Sequence, residues 1–222
     1  LTLRQTIDLR IQARQARLRD PASPHSDRQS FVIPLPLAFP ANGLLTPRLR
    51  LVPAAVSHAT SVRTYLLDNH DYLQPWEPLR HAGFFEHYAV AERLQGMAQR
   101  NANGESLHLL LFMQDADELV GVCNFSNIVR GAFQACHLGY SIGEQWQGQG
   151  LMREGLKAAI AHVFQNMKLH RIMANYRPEN ARSARLLSSL GFQREGEARS
   201  YLQINGAWHD HVLTALINPA DL

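Results

Sequence analysis

The chain predicts an α/β domain with a central mixed sheet. Period-two apolar runs alternate with longer stretches of helical period, in the order β-αα-βββ-α-β-α-ββ. Asn205-Gly206, between two such strand-like runs, is a strong short hairpin signal, because both positions of the turn need φ > 0. A Gly-rich strand-to-helix junction over residues 141–153 fixes where the sheet gives way to its central helix.

Taken from the N-terminus, residues 2–19 carry Leu3, Ile7, Ile11 and Leu18 at near-helical spacing. The apolar face is narrow, so this helix needs a partner. Arg4, Arg10, Arg14, Arg17 and Arg19 lie on it, either as a solvated face or as a contact for RNA. Residues 20–26 read as a linker, and Phe31 to Pro40 as a Pro-punctuated extended segment. Residues 1–45 are therefore an N-terminal extension, and residues 46–222 the main domain.

The main domain opens with the alternating strand Arg48-Leu-Arg-Leu-Val52. Residues 54–70 and 84–100 read as helices, separated by a loop holding Pro75, Trp76, Glu77 and Pro78. Strands are expected at 107–113 and 119–129 around the polar turn 114–118, and a third at 133–142 after Arg130-Gly131. A helix at 151–166, a strand at 170–176 and a helix at 180–189 follow. Strands at 199–204 and 208–217 flank Asn205-Gly206.

The composition narrows the classes. With 222 residues and 45% hydrophobic content the chain can build one sizeable core. No apolar run approaches the roughly 18 residues of a membrane span. The first residues are not a signal-peptide apolar region, so a cytoplasmic location and no membrane partner are expected. The formal charge is +3 and the pI about 9.1, which suits a polyanionic cofactor or work near RNA. Cys123 and Cys136 sit in apolar strand-like runs and read as buried thiols. No CxxC or His-Glu-x-x-His occurs and the histidines are scattered, so no metal site is expected.

The junction Ser141-Ile-Gly-Glu-Gln-Trp-Gln-Gly-Gln-Gly-Leu-Met-Arg153 carries the chemistry. Gly148 and Gly150 allow a tight backbone turn, and the helix beginning near Leu151 offers unpaired N–H groups at its positive dipole end. Together they make a pocket for a phosphate or pyrophosphate. The run lacks the Gly-Lys-Ser/Thr of a Walker loop and the third glycine of a dinucleotide fingerprint.

Downstream come Arg171-Ile-Met-Ala-Asn-Tyr176 and Asn180-Ala-Arg-Ser183, the latter in a segment ending Leu190-Gly-Phe192. Loop, helix, strand and Asn-x-x-Ser helix, in this order and spacing, resemble the Gcn5-related N-acetyltransferase (GNAT) family. The resemblance spans about residues 46–217. It is nearest to the bacterial ribosomal-protein alanine N-acetyltransferases of the RimJ type, through Pro75-Trp-Glu-Pro78, Gly121 to Gly131, Leu138 to Gly143, His170 to Tyr176 and Asp210 to Leu216.

The resemblance implies a splayed mixed sheet flanked by helices, and an acetyltransferase that uses acetyl-CoA. It implies that Gln147, Gly148, Gln149, Gly150, Leu151 and Met152 hold the pyrophosphate, and that Ile142 pairs its main chain with the pantetheine arm. Asn180 reads as an N-cap or as a contact to that arm, and Ser183 as a donor to the departing thiolate. Many relatives place a Tyr for that task at the position of Leu187, which cannot donate. Glu77 reads as general base, as counter-charge to the ammonium, or as a surface carboxylate. His137, Asp210 and His211 are weaker base candidates. Trp76 reads as a wall of the acceptor cleft or as core, and Asn124 and Ser126 as polar strand residues facing the acceptor while Phe125 enters the core. The implied acceptor is the N-terminal α-amine of a protein, a ribosomal small-subunit protein beginning with Ala. A small-molecule amine acceptor, or a non-catalytic CoA-binding ribosome-assembly factor, is the alternative.

Overall fold

The computed structural model describes residues 39–222. The expected N-terminal helix and most of the Pro-punctuated segment lie outside the described residues. Among those described, the strands are β1 (Leu44–Leu45), β2 (Leu49–Pro53), β3 (Leu107–Met113), β4 (Leu119–Val129), β5 (Ala135–Ile142), β6 (Arg171–Tyr176), β7 (Gln193–Ile204) and β8 (Ala207–Ile217). The helices are α1 (Ala59–Asp68), α2 (His70–Leu73), α3 (His87–Ala102), α4 (Leu151–Gln165) and α5 (Ala181–Ser189). The strands form one eight-stranded mixed sheet in the order β1-β2-β3-β4-β5-β6-β8-β7.

Strand alternation divides the core into two layers. Leu107, Leu109 and Leu111 of β3, with Cys123 and Phe125 of β4, pack against Leu151, Leu156, Val163 and other residues of α4 on one face. Leu110 and Phe112 of β3 meet Tyr65 of α1 and Val90 and Leu94 of α3 on the other. Phe125 is fully buried, as the period-two reading of its strand requires.

The sequence under-read two elements. The first expected helix is interrupted: α1 ends at Asp68, Asn69 caps it, and the short α2 follows. Strand β7 begins at Gln193, six residues before the expected start. Its first half, Gln193-Arg-Glu-Gly-Glu-Ala198, is polar and largely exposed. Register shifts after Arg194 and Ala198 break the alternation that would reveal it. The Asn205-Gly206 turn has φ of 45° and 82°, as its hairpin chemistry demands.

The functional geometry begins where β5 and β6 part. They pair in parallel only from Ala135 to His137 against Arg171 to Met173. Beyond that, β5 continues to Ile142 bonded to β4, and β6 continues to Tyr176 bonded to β8. The sheet is splayed at its centre.

Candidate active site

The splay leaves backbone groups unpaired along β5. Gly143 N–H donates to the Val120 carbonyl on the β4 side, at 2.8 Å. The Gln134 carbonyl accepts from His170 and Arg171 on the β6 side. Peptide groups alternate in direction along a strand. The C=O of Leu138 and the N–H and C=O groups of Tyr140 and Ile142 therefore face the gap. An extended ligand can pair with them as an added strand would.

The Gly-rich junction closes one end of the gap. Gly148 and Gly150 have φ of 72° and 77°. A Cβ on Gly148 would meet nothing within 4 Å, so glycine is required there by backbone conformation and not by crowding. Gly150 caps α4, and its carbonyl accepts the first helical bond from Glu154 N–H. The N–H groups of Leu151, Met152 and Arg153 precede that first bond and have no partner within the helix. Left-handed glycines, free amides and a positive helix end make an anion cradle.

A clamp behind the loop holds it in this shape. Arg48 Nη1 donates to the Gln149 carbonyl at 3.0 Å, and Arg48 Nη2 lies 2.7 Å from the Glu154 carboxylate. Glu154 also accepts from Thr46 Oγ1 and from the Arg48 backbone N–H. Desolvation raises the Glu154 pKa, but the bonds from Thr46 and Arg48 outweigh it and the net shift is downward.

A cleft of about 640 Å³ runs through the splayed gap. Ten of the residues singled out from the sequence line it: Trp76, Glu77, Ile142, Gln147, Gly148, Gly150, Leu151, Met152, Asn180 and Ser183. Gln149 does not. Its carbonyl is held by Arg48 and its side chain donates back to the Gln145 carbonyl at 3.0 Å. Asn124 and Ser126 do not line the cleft either. They alternate with Phe125 and so fall on the sheet face opposite α4, where Asn124 Oδ1 lies 3.0 Å from His108 Nδ1.

Asn180 caps α5, accepting the Ser183 N–H at 3.0 Å through Oδ1. This satisfies the capping reading, while Asn180 still lines the cleft. Gln147 accepts a hydrogen bond from Arg182, which ties the loop to α5. Ser183 Oγ lies 2.5 Å from the hydroxyl of Tyr140, a cleft residue that sequence reasoning passed over. The available signal was its position two residues before Ile142, on the same face of β5. Burial pushes the Tyr140 pKa up to about 12, so it stays a phenol at neutral pH. Leu187 is 1% exposed and packs in the core.

At the other end of the cleft, Glu77 sits on a loop tied down from two sides. Its carbonyl accepts from Asn205 N–H of the β7–β8 turn at 2.8 Å. Arg177, at the end of β6, donates to the Pro75 carbonyl and stands 5.4 Å from the Trp76 ring centroid. Desolvation raises the Glu77 pKa above the usual carboxylate value, opposed in part by Arg80 at 3.7 Å.

The weaker base candidates hold structural places. Asp210 accepts from Ser200 N–H at the β7 irregularity, and His211 is buried with Nδ1 on the His209 carbonyl. His137 lies outside the cleft, its pKa lowered by burial.

The fold finds close counterparts among known proteins. The acetyltransferase (GNAT) domain model matches residues 48–193. The chain belongs to the GNAT acetyltransferase family. It is 46% identical over 176 residues to the [ribosomal protein uS5]-alanine N-acetyltransferase of Escherichia coli, covering 79% of this chain and 91% of that enzyme. The crystal structure of a ribosomal-protein-S5-alanine acetyltransferase from Vibrio fischeri superposes with a TM-score of 0.74 at 37% identity, over 77% of this chain and 93% of that one. Mycobacterium smegmatis RimJ, solved in complex with CoA-disulfide, gives 0.73 at 28% identity, over 78% and 83%.

As a GNAT enzyme the chain transfers acetyl groups, and acetyl-CoA is the family's donor. The residues present suit that donor: the cradle at 148–153 fits a pyrophosphate, and the bare edge of β5 fits an amide-bearing arm. Among the described residues, no group of three or more His, Cys, Asp or Glu could hold a metal ion, and no helix is long and apolar enough to cross a membrane.

Proposed function

We propose that this enzyme acetylates the N-terminal α-amine of a protein, a ribosomal small-subunit protein beginning with Ala. The observation that carries this reading is the single cleft through the sheet. It joins the anion cradle at Gly148–Arg153 to a carboxylate, Glu77, whose pKa is raised. The 46% identity to the Escherichia coli enzyme, which acts on the alanine of uS5, favours the same acceptor class. No observation of comparable weight favours a small-molecule amine or a non-catalytic role.

The donor brings an activated acetyl thioester, and this chain's residues bind it, orient it and manage protons. The amides of Leu151, Met152 and Arg153, with the Gln147–Gly150 turn, hold the pyrophosphate through charge-assisted bonds. Ile142 and Tyr140 hold the arm by main-chain pairing along β5, and Asn180 borders it. A β5 N–H facing the gap stabilises the oxyanion that develops at the thioester carbonyl. Ser183 donates to the departing sulfur. Glu77 accepts the ammonium proton or holds the ammonium in place, and Trp76 walls the acceptor channel.

An α-amine suits a site with this modest base. With a pKa near 8, about 10% of it is already neutral at pH 7, against less than roughly 0.1% for a lysine side chain. A ribosomal acceptor places the enzyme in the cytoplasm, and Arg4 to Arg19 would contact ribosomal RNA there. The direct test is mass spectrometry of Ala-starting peptides incubated with enzyme and acetyl-CoA. A mass gain of one acetyl at residue 1 is expected. Peptides that stay unmodified while a small amine is acetylated would overturn the acceptor assignment.

A further inference from the structure

Two hydroxyls from different elements meet in the cleft, and only one of them was expected to do chemistry. Tyr140 comes from β5 and Ser183 from the first turn of α5, and their oxygens lie 2.5 Å apart. Each is otherwise constrained. The Ser183 N–H is bound by Asn180, so the serine backbone is fixed at the helix start. The Tyr140 ring packs against the core beside α4. Among the described residues, the Tyr140 hydroxyl has no other hydrogen-bond partner.

The direction of the bond follows from donor strength. A phenol is a far better donor than an aliphatic alcohol. If Tyr140 donates to Ser183 Oγ, the serine keeps its own O–H free for a third atom. If the serine donated instead, its proton would be spent within the protein. A hydroxyl that accepts one bond also donates more strongly, by about 10–30% per bond.

We propose that Tyr140 is a positioning residue for Ser183: its O–H donates to Ser183 Oγ and so aims the serine O–H at the sulfur of coenzyme A. The inference rests on the reading of Ser183 as the sulfur's donor but not on the identity of the acceptor. No proton leaves Tyr140. The serine bond stabilises the thiolate as the carbon–sulfur bond breaks, and the thiolate takes its proton afterwards from solvent or takes up the proton that the attacking nitrogen loses as the amide forms. Leu187, one turn further along α5, is buried and offers no donor.

The test is a double-mutant cycle on Tyr140→Phe and Ser183→Ala, read without any acceptor present. Coenzyme A is bound to each of the four proteins, and its thiol is titrated by thiolate ultraviolet absorbance. A free thiol titrates near 8.5. Tyr140 does not ionise in that window, since burial holds it near 12. The other titratable and charged groups facing the cleft are Tyr72 of α2, Tyr176 of β6, Arg182 and Arg185 of α5, Arg153 of α4, and Glu77. They are common to all four proteins and cancel in the cycle.

Ser183→Ala is expected to raise the bound thiol's pKa by about one unit, a tenfold loss of thiolate. Tyr140→Phe should give about a threefold loss alone and none in the Ser183→Ala background. Single-turnover acetyl transfer at saturating donor should follow the same pattern. A Tyr140→Phe effect of equal size in both backgrounds, or no effect in either, overturns the proposal. Circular dichroism and coenzyme A affinity identify a variant that has lost its fold, and Tyr140→Trp, which keeps an aromatic ring but moves its donor, then serves as the second probe with the same expected loss. The acceptor assignment is read separately, from wild-type peptide acetylation, so either conclusion can fail alone.

Discussion

Replacing Gly150 separates the conformational part of donor binding from the electrostatic part. A Cβ at this position meets nothing nearer than Arg48 Nη2 at 3.7 Å, which is ordinary contact. Gly150→Ala therefore carries no steric block. It carries the penalty of holding a non-glycine residue at φ 77°, about 1–2 kcal/mol. If the loop relaxes in the free enzyme, that penalty falls on binding and weakens acetyl-CoA by about 5- to 30-fold. Gly150→Glu adds a carboxylate beside the bound pyrophosphate. At about 5 Å and an effective dielectric near 20, one such repulsion costs about 3 kcal/mol. Arg48 cannot fully offset it, because Glu154 already engages it. The sum, about 4–5 kcal/mol, corresponds to a loss on the order of 10³-fold. Calorimetric titration with acetyl-CoA reads both variants, with circular dichroism to establish that they fold. A folded Gly150→Glu protein that binds within about threefold of wild type would refute the assignment of the cradle.

Glu154→Gln should loosen the clamp that Arg48 and Thr46 make behind the loop, lowering stability by about 1 kcal/mol after allowing for the exposure of Arg48, measured as a drop in Tm. Because the Glu154 pKa is depressed on folding, its contribution is present above the unfolded carboxylate value near 4.3 and is lost as pH falls through the folded value. The gap in Tm between wild type and Glu154→Gln should therefore close in acid, and a gap that stays constant down to pH 3 would contradict this. For Glu77, the raised pKa means that the carboxylate loses its charge at a higher pH than an ordinary Glu. Peptide turnover at saturating donor should show an acid limb above the usual carboxylate range, and Glu77→Gln should remove that limb while lowering kcat/KM by about 10²-fold, the low end for general-base help. An unchanged pH profile in Glu77→Gln would make Glu77 a bystander.

Much of the sheet was legible because its strands obey a local rule. Leu107–Met113 and Leu119–Val129 were read at their observed ends, since polar turns bound them on both sides. The Gly-x-Gly junction was legible because a left-handed turn before a helix has few sequence solutions. The first half of β7 was hidden by its Glu and Arg residues and its irregular register. Asn124 and Ser126 were given the correct alternation, but period two names a face and not a place on it. The rest depends on residues far apart in the chain. Arg48 reaches Glu154 across 106 positions and Tyr140 reaches Ser183 across 43, and neither partnership leaves a local signal. Leu187 shows the same limit from the other side. Its inability to donate was plain, yet the nearby hydroxyl of Tyr140 became visible only once β5 and α5 were brought together.

The most direct test of the whole account offers the enzyme one peptide with both kinds of amine. A synthetic peptide beginning with Ala and carrying internal lysines is incubated with enzyme and acetyl-CoA, alongside a copy whose α-amine is blocked. Tandem mass spectrometry locates every acetyl group. The account predicts a single acetyl on the Ala α-amine of the first peptide and none on the blocked copy, because a site with one modest base cannot readily use an amine that is less than roughly 0.1% neutral at pH 7. Acetylated lysines on the blocked copy, at a rate comparable to that of the free α-amine, would contradict it.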